Sequence, residues 1–227
     1  MSLAIPYQNS LVSHDSTSSS VPARTLSFAE VLHYGFPGPG MDMEMKRWKA
    51  RNIPNLMRGL WRVLAAKKLG LPFLSGRLCL ATIAPDGHRR DYGLVSLRMI
   101  TSSGAAYVTD AFQGLVALSS MKFHGLGGGA TPETTGDTEL DNEFFAEYAT
   151  VNTRSEGIQT EGLAPNYYHT FAFIEVTDTV TFCEHGLFDK AIASGSTLLD
   201  RSVIASETIF AGYSVVGDYL LEVATGT

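Results

Sequence analysis

The sequence is poor in the residues from which metal centres, disulfide frameworks and membrane spans are built. Its two cysteines, Cys79 and Cys183, lie far apart with no CxxC pair. That spacing excludes a zinc-finger pattern and leaves two buried thiols in a reduced compartment, with a pairing between strands as the alternative. No run approaches the roughly 18 consecutive apolar residues of a membrane span. The opening MSLAIPYQNSLVSHDSTSSS has neither the basic nor the apolar region of a signal peptide. A GxSxG elbow, a Walker A string and any internal repeat are missing too.

What is present is unevenly distributed. The net charge of −6 divides sharply along the chain. Lys46–Arg98 holds twelve Lys/Arg against two acids, and Met99–Thr227 holds four against seventeen. The first 45 residues hold one basic residue and four acids. Such asymmetry suggests that different regions face different partners.

Residues 1–45 read as an extended N-terminal arm. Ser/Thr/Pro/Gly clusters give no sustained period, yet Tyr7, Phe28, Tyr34 and Phe36 point to an arm that orders against something. Residues 46–74 carry Leu56, Leu60 and Leu64 with Met57 and Trp61 at helical spacing. With Asn52 as cap, Pro54 in the first turn and Gly70 and Pro72 as stops, they predict a short basic amphipathic helix. Arg58 and Arg62 fall on a face of their own.

From residue 75 onward the texture is β. The pair RLCLATIA and RDYGLVSLRMIT flanks the turn PDGH and reads as a hairpin. Further strands are predicted at AAYVTD, SMKFHGL, TRSEGIQTEG, NYYHTFAFIEV, DTVTFCEHGLF, TLLDRSVIAS and YSVVGDYLLEVAT, with one helix at DTELDNEFFAEY. Many short strands without regular strand–helix alternation predict an antiparallel β-sandwich, jelly-roll-like, over residues 75–227.

The stretch KFHGLGGGATPETTGDTEL sets five glycines beside His124. An oxyanion loop would also need a nucleophile elbow, which the chain lacks. A dinucleotide loop would need a helix to start at once, whereas Pro132 and acidic residues follow. The glycines read instead as a loop in which backbone passes close to its neighbours or adopts positive φ. In CEHG, adjacent strand residues point to opposite faces, so Glu184 and His185 cannot share an ion. Cys183 and His185 would share a face, but two ligands do not make a site. Asp200 and Arg201 likewise fall on opposite faces. No catalytic residue, cofactor or metal is expected.

Taken in order, FHGLGGGATPETTGDTEL, NTRSEGIQTEG, YYHTFAFIEV, VTFCEHGLFD, TLLDRSV and GDYLLEV resemble a family of tailed-bacteriophage virion structural proteins, the capsid decoration or cement proteins. The resemblance runs from Arg58 to Val223 and carries no catalytic signature. It implies a sandwich that bridges subunits of the major capsid protein, as a homo-oligomer with a trimer expected. The location it implies is the virion surface, after synthesis in a bacterial cytoplasm. A head–tail connector or fibre-base protein stays open as the alternative. The surface expected to meet the capsid or a neighbouring copy comprises Tyr34, Phe36, Lys46, Arg47, Trp48, Lys49, Arg51, Arg58, Trp61 and Arg62. Its arginines flank an apolar stripe, a pattern that nucleic acid or a membrane surface could also use. The whole chain is acidic and the basic block is too short to carry a fold of its own, which weighs against DNA. An acidic protein partner, or the acidic domain of a neighbouring copy, is the more economical target for the basic block, and neither a membrane nor nucleic acid is expected.

Overall fold

A computed structural model describes residues 26–150, 152–160 and 166–224. Two helices lead the described chain, α1 (Phe28–Gly35) and α2 (Met43–Lys68), followed by strands β1 (Phe73–Ile83) and β2 (Arg89–Met99). Helix α3 (Ser102–Phe112) and a 3-10 turn (Leu118–Ser120) precede β3 (Phe123–Gly127). The remaining strands are β4 (Ser155–Glu156), β5 (Ile158–Thr160), β6 (Tyr167–Glu175), β7 (Val180–Phe188), β8 (Leu198–Ile209) and β9 (Ser214–Ala224). They form two antiparallel sheets, ordered β2-β1-β9-β6-β5 and β4-β3-β7-β8. The chain is mainly β, as its alternating pattern predicts.

Between the sheets lies the main core, built from Leu78, Leu80, Val95, Ile174, Phe182, Ile204 and their neighbours. A second core forms where α1 and α2 pack on β2, with Leu56, Leu60, Val63, Leu94 and Leu97 at its centre. Helix α2 lies across the place where β2 and β8, the edge strands of the two sheets, come together. Buried Asn52 joins them: its Nδ2 donates to the Val95 carbonyl at 2.8 Å and its Oδ1 accepts from Ala205 N–H at 2.9 Å. Each edge strand thereby gains a partner for one backbone group that a neighbouring strand would otherwise supply. At Gly59 the helix comes so close that a Cβ would collide with the Leu97 carbonyl.

Four local expectations are corrected. Residues 28–35 are helical rather than extended, because Ser27 and Glu30 form a reciprocal capping box. The arm's remaining residues, 1–25, lie outside the described residues. Helix α2 is not short: it runs for 26 residues, starts at Asp42, whose side chain accepts Met45 N–H, and so crosses the boundary expected at residue 46. Pro54 stands inside it at an exposed position, where water can take the carbonyl that loses its partner. AAYVTD belongs to α3, started by the Thr101 hydroxyl accepting Gly104 N–H. DTELDNEFFAEY is not a helix but a series of turns and bridges. Its N–H groups go elsewhere: Asp141 and Asn142 donate to the Glu184 carboxylate, and Phe144 donates to the Leu126 carbonyl.

Candidate functional site

Helix α2 separates its residues cleanly. Met45, Trp48, Lys49, Asn52, Leu56, Gly59, Leu60, Val63 and Ala66 are buried, a stripe repeating every three or four residues. Arg47, Arg51, Pro54, Trp61, Arg62 and Lys68 are exposed on the opposite side. Trp61, at 66% exposure, is a large aromatic surface left in water. Arg47, Arg51 and Arg62 form no ion pair with any described residue. The outer face thus carries three guanidinium groups without ion-pair partners among the described residues, strung along the helix, with one exposed tryptophan beside Arg62.

The expected partner surface divides in two on this geometry. Trp48 belongs to the core, 2% exposed, with its ring 4.7 Å from that of Tyr92. Lys49 is equally buried and donates to the Tyr34 carbonyl at 2.6 Å, and burial lowers its pKa. Tyr34 and Phe36 are half-buried and pack on the second core. Those four residues hold α1 and α2 to the sandwich. Lys46 is half-buried. Arg58 is partly exposed and reaches Glu133 at 3.1 Å, and Glu133 also pairs with buried Arg98. Part of the charge asymmetry therefore closes within the chain, and Arg47, Arg51, Trp61 and Arg62 remain available.

The glycine-rich loop has its own organiser. Glu184, fully buried on β7, accepts from Gly129 N–H at 2.9 Å, Asn142 N–H at 2.9 Å and Asp141 N–H at 3.1 Å. Arg201 donates to the same carboxylate from Nε at 2.8 Å and pairs with Asp137 and Asp141. A Cβ at Gly127 or Gly129 would strike the Glu184 side chain. Close approach, and not positive φ, is what these glycines supply, since none of Gly125, Gly127, Gly128 and Gly129 has positive φ. Nearby, Arg154 forms a two-pronged bond to Glu143, at 2.6 and 2.8 Å, with its guanidinium 3.4 Å from the Phe188 ring centre.

The histidines turn inward. His124 Nδ1 lies 3.0 Å from His185 Nε2, and His124 Nε2 lies 3.3 Å from the Thr170 hydroxyl. Both rings are enclosed, and burial holds His124 well below the usual histidine range and His185 down at about 3. Cys183 does not share the face of His185: a bulge between Phe182 and Glu184 turns its thiol to the Gly129 carbonyl. Asp200 and Arg201 do point to opposite faces; burial lifts the Asp200 carboxyl to about 6 against the pull of Arg98. Cys79 and Cys183 are both free thiols.

No family model, curated protein or solved structure matches this chain.

The side chains themselves must therefore say what the arrangement can do. Of the N–H groups that an oxyanion hole would use, Gly128 donates to the Asn142 carbonyl and Gly129 to Glu184, and both ring nitrogens of His124 are engaged. Among the described residues no group of three or more His, Cys, Asp or Glu is placed to hold a metal ion. No described helix is long and apolar enough to cross a membrane. Asn52, Glu184 and Arg154 are the structural residues that the sequence did not reveal. The available signal was weak: an asparagine on the apolar stripe of a helix, and charges inside strands that are otherwise apolar.

Proposed function

We propose that this chain is a non-enzymatic virion structural protein that decorates a bacteriophage capsid, bridging and stabilising subunits of the major capsid protein. The observation that carries the reading is the outer face of α2: a helix clamped to both sheets that presents unpaired Arg47, Arg51 and Arg62 along the same face as exposed Trp61. Exposed aromatic and arginine side chains on a rigid element are the usual anchors of protein interfaces. The ordered resemblance of the strand and loop motifs to cement proteins supports the same reading, and the sandwich supplies the scaffold such bridging uses. A jelly-roll-like topology and an N-terminal arm over residues 1–25 belong to the proposal, as does its place on the virion surface.

The test is the copy number of the chain in purified particles relative to the major shell protein. A ratio near one is expected. A few copies per hundred shell subunits would overturn decoration in favour of a head–tail or fibre-base role. Deletion of residues 1–25 alone, which leaves the α1 capping box and Asp42 intact, is expected to yield a folded protein with weakened binding to heads.

A further inference from the structure

The outer face of the five-stranded sheet is covered over only half its width. Helices α1 and α2 pack on the β2 side. On the β6-β5 side several outward residues are exposed, while Val216 and Leu220 on the same side of β9 are buried. Register places Ile158, Phe171 and Asp218 in one row across the three strands, with Phe173 beside Val216 and Glu175 beside Ser214. Ile158 is 57% exposed and Phe173 47%, Glu175 is exposed, and the Asp218 side chain is 51% exposed. Beyond the end of β6, Asp178 is exposed as well. Glu175 and Asp178 form no ion pair with any described residue. Asp218 holds His169 at 2.7 Å and leaves half its side chain in water.

This face and the α2 face are opposites in charge and alike in having apolar anchors. Arg47, Arg51 and Arg62 lie along the helix face that carries Trp61; on the other, Glu175 and Asp218 share the outward side of the sheet with Phe173 and Ile158, and Asp178 follows the end of β6. A two-fold contact centred on either face alone would set arginine against arginine or carboxylate against carboxylate, which costs free energy at short range. Contact of one face with the other brings the signs together, either reciprocally about a two-fold axis or repeated head-to-tail. We infer that the outer face of α2 docks on the exposed outer side of β6-β5 of a second copy of this chain, so that the protein self-associates through two different faces. Repeated head-to-tail contacts close into a ring when the rotation permits and otherwise extend as a filament. The inference rests on the reading of the α2 face as an assembly surface and names its occupant.

The experiment is light scattering after gel filtration of the purified full chain, across protein concentration and salt, with no capsid present. An assembly larger than a monomer is expected, and it should weaken as salt rises because the matched charges are screened. The double variant Arg51→Glu/Arg62→Glu is expected to raise the dissociation constant about tenfold or more, and Glu175→Lys/Asp178→Lys to do the same. Mixing the two variants makes both cross-pairings complementary, reversed face with reversed face and native face with native face, so an assembly containing both variants should return. All four positions are exposed, and circular dichroism reports whether each variant stays folded. A wild type that is monomeric at every concentration, or an assembly indifferent to both reversals, overturns the inference. Either result leaves decoration to be judged separately by the copy number in particles. A symmetric dimer sensitive to only one reversal would also overturn it.

Discussion

On the outer face of the four-stranded sheet, Glu184, Arg201 and Arg154 are engaged in holding the glycine-rich loop; on the open half of the five-stranded sheet, Phe173 and Glu175 hold no covering element. Both faces carry charge, yet the charge does different work on each. Beneath the loop, carboxylates and guanidinium groups are desolvated and matched one to another, and removing one leaves the other stranded. On the open sheet, and on the outer face of α2, the charges stay in water and are free to meet a partner. Position relative to cover, more than residue type, separates structural charge from docking charge in this molecule.

The contrast can be broken most directly at Glu184. Glu184→Ala leaves three backbone N–H groups unpaired and takes from Arg201 one of its three carboxylate partners, with an expected loss of about 3–5 kcal/mol in chemical denaturation. The loop should also become open to proteolysis. A loss below about 1 kcal/mol would mean that the loop is held by something else.

Between the covered and open faces lies the seam that Asn52 closes. Asn52→Ala leaves the Val95 carbonyl and the Ala205 N–H without partners, and an unsatisfied buried group costs about 1–3 kcal/mol each. A loss of about 3 kcal/mol is expected, together with faster amide exchange at Ala205.

Acid distinguishes buried from open charge in a third way. His124 and His185 are neutral in the fold, so below about pH 6.5 the unfolded chain binds protons that the folded one does not. Stability is therefore full above that pH and falls on acidification toward about 3, where His185 titrates. One unit below pH 6.5, two such histidines together cost about 2–3 kcal/mol. Asp200 has the opposite sign: its folded carboxyl takes up a proton near 6, above the unfolded carboxylate range, so acidification through that window stabilises the fold. Thermal melts from pH 7.5 to 5 should show the histidine loss, and Asp200→Asn should make that slope steeper. A flat profile in both proteins would contradict the neutral buried pair.

The smallest effect belongs to the open side. Trp61→Ala should change stability by no more than about 0.5 kcal/mol, because the ring packs on little. Its consequence should appear in self-association.

The sequence carried the strands well and the helices poorly. Eight of the nine segments read as strands contain strand, because alternation of apolar residues is a local property that burial on one face imposes. AAYVTD has strand composition, but Thr101 caps it and Gly104 lets it settle against the Leu199 backbone, a contact made with β8. DTELDNEFFAEY has helical spacing, yet a carboxylate more than forty residues away takes its N–H groups. Asn52 read as a cap because nothing local distinguishes a capping asparagine from one that bridges two sheets. The site was legible in part: Arg47, Arg51, Trp61 and Arg62 do lie outward, while Trp48 and Lys49 fell on the inner side once the true helix start at Asp42 set the phase.

The clamp at Asn52 also imposes an order of events on the growing chain. Its first partner, Val95, is 43 residues away, and its second, Ala205, is 153 residues away. During synthesis α2 can settle on β2 early, but it must keep half of that amide and part of its apolar face uncommitted until β8 has emerged. At roughly 5–20 residues per second the wait lasts many seconds, long enough for a half-docked helix to meet another nascent chain. A ribosome that stalls before β8 would therefore release a species without β8 and β9, in which β1, β6 and β7 each lack a strand neighbour, the form most in need of a chaperone.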